Sequence, residues 1–131
     1  MYSLDTCILV ALLRGDRIIE SKIDECEARG EALAVDPVVI AELFKGAYLA
    51  ARVEDAVRLV EDLVSGLDLL EFDEGSSRVF GQEFARLSNI GSSTQDFDLM
   101  IASIAMSHGA VLVTRNISGF EKIQGLKTAV W

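Results

Sequence analysis

Three carboxylates, Asp5, Glu42 and Asp98, each stand among strongly apolar neighbours: Leu-Asp-Thr-Cys-Ile-Leu at 4–9, Ile-Ala-Glu-Leu at 40–43 and Gln-Asp-Phe-Asp-Leu-Met-Ile-Ala-Ser at 95–103. Burying an ionised carboxylate costs several kcal/mol in effective terms unless a positive charge compensates. Three such positions, far apart in sequence, read as a built site, and a metal cluster is the economical explanation. A fourth stretch, Val-Thr-Arg-Asn at 113–116, has the same mixed character and adds Thr114 and Asn116.

Placing these residues together takes alternating strands and helices. Residues 2–5 read as a short buried strand with Asp5 at its carboxyl end, and the apolar segment after it stops at Arg14-Gly15. Asp16 can cap a helix running to about Gly30, and 32–35 has the bulk of a second strand. Asp36-Pro37 opens a helix that holds Glu42 on its second turn, with Pro37 suited to the first helical position. Residues 53–65 form an amphipathic helix ended by Gly66, whose apolar face either fills the core or offers a dimer surface. A third strand at 67–72, a helix from Glu74 to about Asn89 and a loop at 90–94 follow. The next helix carries Asp98 in its first turns and ends at Gly109, ahead of a parallel-type strand at 110–114 and a short last strand at 128–131.

This alternation predicts an α/β fold, a central mainly parallel sheet of about four to five short strands flanked by helices. Ligands of such sheets bind outside the carboxyl ends of the strands, where strand order reverses. Asp5, Asn116 and the helix start near Asp98 are expected to converge there, with Glu42 reaching in from its own helix.

The 131 residues suit one domain over 1–131, with a single core that needs no disulfide. Cys7 and Cys26 make no disulfide framework and read as small apolar residues. The formal net charge of −9 disfavours loose binding to nucleic-acid phosphates, so any nucleic acid has to be held locally. The longest apolar runs, Ile8–Leu13 and Leu99–Met106, fall well short of the ~18 residues of a spanning helix. The first residues lack a basic segment followed by an apolar stretch, so no secretory signal and a cytoplasmic location are expected.

In their order and spacing these stretches resemble PIN-domain ribonucleases, most closely the VapC toxins of VapBC toxin–antitoxin modules. The resemblance runs over nearly the whole chain, from Leu-Asp-Thr-Cys-Ile-Leu to Thr-Arg-Asn-Ile-Ser-Gly-Phe-Glu at 114–121. It implies a PIN-like fold, a metal-dependent endoribonuclease acting as a toxin, and an active site of Asp5, Glu42 and Asp98. It also implies a homodimer and a VapB-type antitoxin whose tail blocks the cleft. The chain departs from the pattern at Cys7, where Asn or Ser is common, at Asn116, where many PIN domains carry a fourth acid, and at Gly119, where relatives often have Asp or Glu.

Mg²⁺, or Mn²⁺, suits clustered carboxylates that would otherwise repel one another. It binds few of them, keeps several waters and coordinates phosphate oxygens, which fits hydrolysis of RNA phosphodiesters. Asp5 and Asp98 are the expected ligands, directly or through water, and Glu42 either completes the set or orients and deprotonates the attacking water. Thr6, Asp96, Thr114 and Asn116 are the expected supporting residues, although Asp96 also reads as a helix-capping residue, as does His108 at a helix end. Arg14, Lys45, Arg52 and Arg115 either hold RNA phosphates or are solvated surface charges.

Two alternatives remain at this point. One is a catalytically inactive PIN-like scaffold that binds RNA or protein. The other is a phosphate-handling domain, but a haloacid-dehalogenase-like phosphatase wants Asp at the position of Cys7, and a receiver wants Lys where Arg115-Asn116 follow Thr114.

Overall fold

The computed structural model describes residues 1–131 throughout, as five strands and seven helices. They follow in the order β1 (Tyr2–Leu4), α1 (Thr6–Leu13), α2 (Arg17–Ala28), β2 (Leu33–Val35), α3 (Pro37–Tyr48), α4 (Val53–Ser65), β3 (Asp68–Leu69), α5 (Glu74–Asn89), α6 (Asp96–Ser107), β4 (Val111–Val113), α7 (Ile117–Phe120) and β5 (Thr128–Ala129). The expected α/β architecture is present.

All the pairings are parallel, and the strand order is β3-β2-β1-β4-β5. From β1 the chain builds outward through β2 and β3, then crosses to the other side of β1 to add β4 and β5. Strand order therefore reverses between β1 and β4, which pair Ser3 with Leu112 and Leu4 with Val113. A crevice opens at the carboxyl ends of those two strands.

The central strands are short and buried, because helices cover the sheet. Leu4, Ala34, Val35, Leu112 and Val113 are fully enclosed with Ile8, Leu9 and Val39, and α6 contributes Leu99, Ile101, Ala102, Ile104 and Ala105. Helix starts follow their caps: Asp5, Asp16, Asp36 and Asp73 each accept backbone N–H groups at the beginning of α1, α2, α3 and α5. Gly109, with φ +65°, takes the left-handed conformation that ends α6 and turns the chain into β4.

Several expectations need adjustment. The third and last strands shrink to Asp68–Leu69 and Thr128–Ala129, because both lie at sheet edges with a neighbour on one side only. Asp96 does not cap α6. Gln95 holds that position without a side-chain bond, and Asp96 is the first helical residue, exposed and acting only through the helix dipole. His108 does occupy the C-cap position of α6, but its Nε2 contacts the carbonyl of Glu71 at 2.9 Å, tying α6 to the turn before α5. Helix α4 turns Val60 into the core and leaves Leu59 exposed. No helix is long and apolar enough to cross a membrane.

Candidate active site

Asp5 leaves the end of β1 and is buried. Its Oδ1 accepts the Thr6 N–H at 2.8 Å, and its Oδ2 accepts the Thr114 hydroxyl at 2.6 Å. The Cys7 thiol donates to the same Oδ2 at 3.5 Å and accepts the Arg115 N–H at 3.3 Å. Thr114 in turn accepts the Asn116 N–H at 3.0 Å. The start of α1 and the turn after β4 are thus stitched together at the switch point. Cys7, read from sequence as a small apolar residue, packs partly buried against the core as expected and also joins that stitching, whereas Cys26 is a core residue.

Glu42 enters from α3. The Thr6 hydroxyl donates to its Oε2, which leaves Oε1 without a protein donor. Asp98, in the first turn of α6, is partly buried and has no hydrogen-bond donor on either oxygen. Burial, then the charges of Asp5 and Glu42, raise its pKa above the usual Asp value. The three expected acids and the supporting Thr6, Thr114 and Asn116 therefore share one region, and Asp96 lies outside it.

One acid was missed. Asp36 is fully enclosed, and burial pushes its pKa up to about 6, with smaller contributions from the charges of Asp5 and Glu42. Bonds from Val38 N–H and Val39 N–H to Oδ1 oppose the shift, while Oδ2 has no partner. Asp-Pro after a strand signals a helix start, and nothing local says that it lies within the field of the other acids.

Beyond Asp98 a polar groove of about 500 Å³ opens, bordered by Ser93, Gln95, Asn116, Ser118 and Lys122. Gly119 lies on its floor. A Cβ there would stand 2.5 Å from Asn116 Nδ2 and 2.8 Å from Asp98 Oδ2, so both side chains close over a bare Cα. The bare Cα of Gly119 is thus the space that Asn116 and Asp98 use.

The cations divide differently from expectation. Arg115 is tethered: Nε donates to the Trp131 carbonyl at 2.7 Å and Nη1 to Asp16 at 2.9 Å, so it is not a free phosphate ligand. Arg52 pairs with Asp55 at 2.9 Å. Arg14 makes no ion pair and borders an apolar groove with Val10, Leu43, Ala47, Val60 and Glu42. Lys45 is exposed on α3 and borders neither groove. Lys122 had no signal in sequence beyond its charge.

A family model described as PIN domain matches residues 2–126. The chain belongs to the PIN-domain family. Among curated PIN-domain relatives, the tRNA(fMet)-specific endonuclease VapC of Shigella flexneri is 34% identical over 99 residues, 76% of this chain and 75% of that protein. Ribonuclease VapC2 of Haemophilus influenzae is 30% identical over 131 residues, 99% of this chain and 97% of that one. Among solved structures, VapBC2 from Rickettsia felis bound to a promoter DNA fragment superposes with a TM-score of 0.91 at 27% identity, covering 99% of this chain and 98% of that chain. DNA-bound VapBC from Salmonella typhimurium gives 0.87 at 30% identity, covering 99% and 97%. The PIN fold and the VapC relationship expected from the motifs both hold.

Within this PIN-domain site, no three His, Cys, Asp or Glu side chains stand close enough to grip one ion directly. The donors do fit a hard cation that keeps its waters. They are carboxylate and amide oxygens, and the two free oxygens of Asp98 sit in the field of Asp5 and Glu42 with no protein cation bonded to them.

Proposed function

We propose that this PIN-domain protein is a metal-dependent endoribonuclease, hydrolysing RNA phosphodiester bonds as the toxin of a VapBC-type module. The observation that carries this is Asp98, a carboxylate with no donor at the strand-order switch point, whose proton affinity is raised first by burial and then by the charges of Asp5 and Glu42. An arrangement of that kind calls for a divalent cation.

When bound, Mg²⁺ or Mn²⁺ supplies charge neutralisation, polarises the phosphodiester and lowers the pKa of the attacking water. Asp5 and Asp98 are the residues to hold it, directly or through water. Asp5 is fixed in one orientation by Thr6 and Thr114, so its donor geometry is set before anything binds. Glu42 is anchored through one oxygen by Thr6, and the other is free to orient the attacking water and take its proton. The Asn116 side chain, beside Asp98 over Gly119, offers an amide to a phosphate oxygen or a bound water.

The names of the relatives support an RNA substrate, and that of the Shigella relative makes tRNA(fMet) the first RNA to test. The VapBC structures support a VapB-type antitoxin, for which the apolar groove past Glu42 offers a seat. A homodimer acting in the cytoplasm completes the proposal.

The test is cleavage of total RNA by antitoxin-free protein with Mg²⁺ or Mn²⁺, with EDTA, and with Asp5→Asn and Asp98→Asn. Discrete fragments that need metal and disappear in both variants are expected. No cleavage by the folded, metal-supplemented protein would leave the inactive scaffold.

A further inference from the structure

We propose that the groove beside Asp98 is a subsite for one sugar-phosphate unit of the RNA strand, and that Lys122 is the residue that holds its phosphate. The subsite rests on the ribonuclease function proposed above and names the part of the substrate it engages.

No hydrophobic side chain lines this groove, so it has no platform on which a base could stack. Its lining is hydroxyl, amide and carboxylate, with one ammonium group, and its size suits a ribose and its phosphate. The protein carries a net charge of −9, and Asp98 stands in the same groove, so a phosphate entering it meets repulsion unless a cation is on hand. Lys122 is the one cationic side chain in its lining. It makes no ion pair, whereas Arg52, Arg86 and Arg115 are engaged with Asp55, Glu83 and Asp16.

The backbone beneath Lys122 is held rigidly. Arg86 on α5 donates to the Lys122 carbonyl at 2.7 Å and pairs with the largely buried Glu83 at 2.8 Å. Glu83 also accepts the Gln124 N–H at 3.1 Å. On the opposite wall the Thr94 hydroxyl donates to the Gly119 carbonyl at 2.9 Å, fixing the loop before α6 against α7. The protein therefore clamps the chain on either side and leaves the ammonium free, the arrangement expected of a preorganised anion contact. Because the contact is to backbone phosphate, it positions the strand without reading a base.

The test uses the full chain carrying Asp5→Asn, so that RNA is bound and not cut, with a fluorescein-labelled single-stranded RNA of mixed sequence followed by anisotropy over a range of KCl. Lys122→Ala is expected to weaken binding roughly five- to tenfold and to flatten the slope of log Kd against log salt by ~0.7. Lys122→Arg restores binding, and Lys127→Ala, an exposed lysine bordering no groove, leaves it unchanged. The loss is expected to be equal for uridine-rich and cytidine-rich RNAs.

In the cleaving protein, Lys122→Ala raises KM, spares kcat and leaves the cleavage positions in place. An unchanged Kd, an equal loss with Lys127→Ala, or a loss confined to one base composition would overturn the subsite. If the parent protein cuts no RNA yet Lys122→Ala shows the binding signature, the ribonuclease function fails and the subsite stands. If the parent cuts and Lys122→Ala binds normally, the reverse holds.

Discussion

The hydroxyl of Thr114 donates to Oδ2 of Asp5 across 2.6 Å, between residues 109 positions apart in the chain. Each follows one of the two strands between which strand order reverses, so the bond closes the floor of the crevice. Thr114→Val keeps the shape but removes the donor to Asp5 and the acceptor for the Asn116 N–H. We expect a loss of ~1–3 kcal/mol in urea unfolding, with Thr114→Ser close to the parent. Cleavage should fall with the same ranking.

The contribution of Asp36 to stability should decline as pH rises through the acid range. Asp36 has a folded-state pKa of about 6 against 3.8 ordinarily, so the folded chain holds its proton more tightly than the unfolded chain. The contribution is full below the ordinary value, is lost as pH rises through the folded one, and is flat beyond; the loss is on the order of 2–3 kcal/mol. Asp36→Asn keeps the cap to Val38 and Val39 through its carbonyl and removes the titration. Urea midpoints against pH check this: Asp16, Asp73 and Glu83, held below the usual carboxylate range, act in the opposite direction in both proteins, so the stability of the parent relative to the variant is expected to fall as pH rises through about 6, and parallel profiles would refute it.

Divalent cation should stabilise the fold. Burial chiefly raises Asp36 and Asp98, and the charges of Asp5 and Glu42 add to it; a bound cation offsets that mutual repulsion, so Mg²⁺ is expected to raise Tm at neutral pH. At a hundredfold excess over Kd the gain is ~2.7 kcal/mol. EDTA reverses it, and Asp98→Asn reduces it. A thermal melt with and without Mg²⁺ reads the effect without any RNA.

Gly119→Ala separates folding from chemistry. Gly119 lies in α7, where alanine is favoured by up to ~1 kcal/mol, so Tm should hold or rise. The added Cβ would meet Asn116 Nδ2 at 2.5 Å and Asp98 Oδ2 at 2.8 Å, forcing both side chains off their positions. A ten- to hundredfold fall in cleavage rate is expected from such a displacement. A variant as active as the parent would show that Asn116 and Asp98 need not hold these positions.

Arg115→Ala should act on the fold and not on RNA. Its guanidinium joins Asp16 at the start of α2 to the Trp131 carbonyl, and Asp16 is held below the usual carboxylate range chiefly by that partner. Tm is expected to drop while RNA affinity and its salt slope stay put, as anisotropy would show. A shallower slope would restore Arg115 as a phosphate ligand.

The sequence by itself determined the local elements and the chemical types of the site. Asp16 and Asp36-Pro37 announce helix starts because an N-cap needs only its own next turn, and Val111–Val113 announces a buried parallel strand because its apolar run is continuous. Asp5, Glu42 and Asp98 are legible because charge inside an apolar run is costly wherever it lies. What only the tertiary structure decided depends on strand order, which no local pattern encodes: the bond from Thr114 to Asp5, the Cys7 thiol between Asp5 and the Arg115 N–H, and the field that Asp5 and Glu42 exert on Asp36. The same holds for the surface cations. Arg115 and Lys122 are alike in sequence as exposed charges, and it is the fold that ties one to Asp16 and sets the other on the groove that Asp98 also lines, because long flexible side chains take their partners from whatever packing brings near.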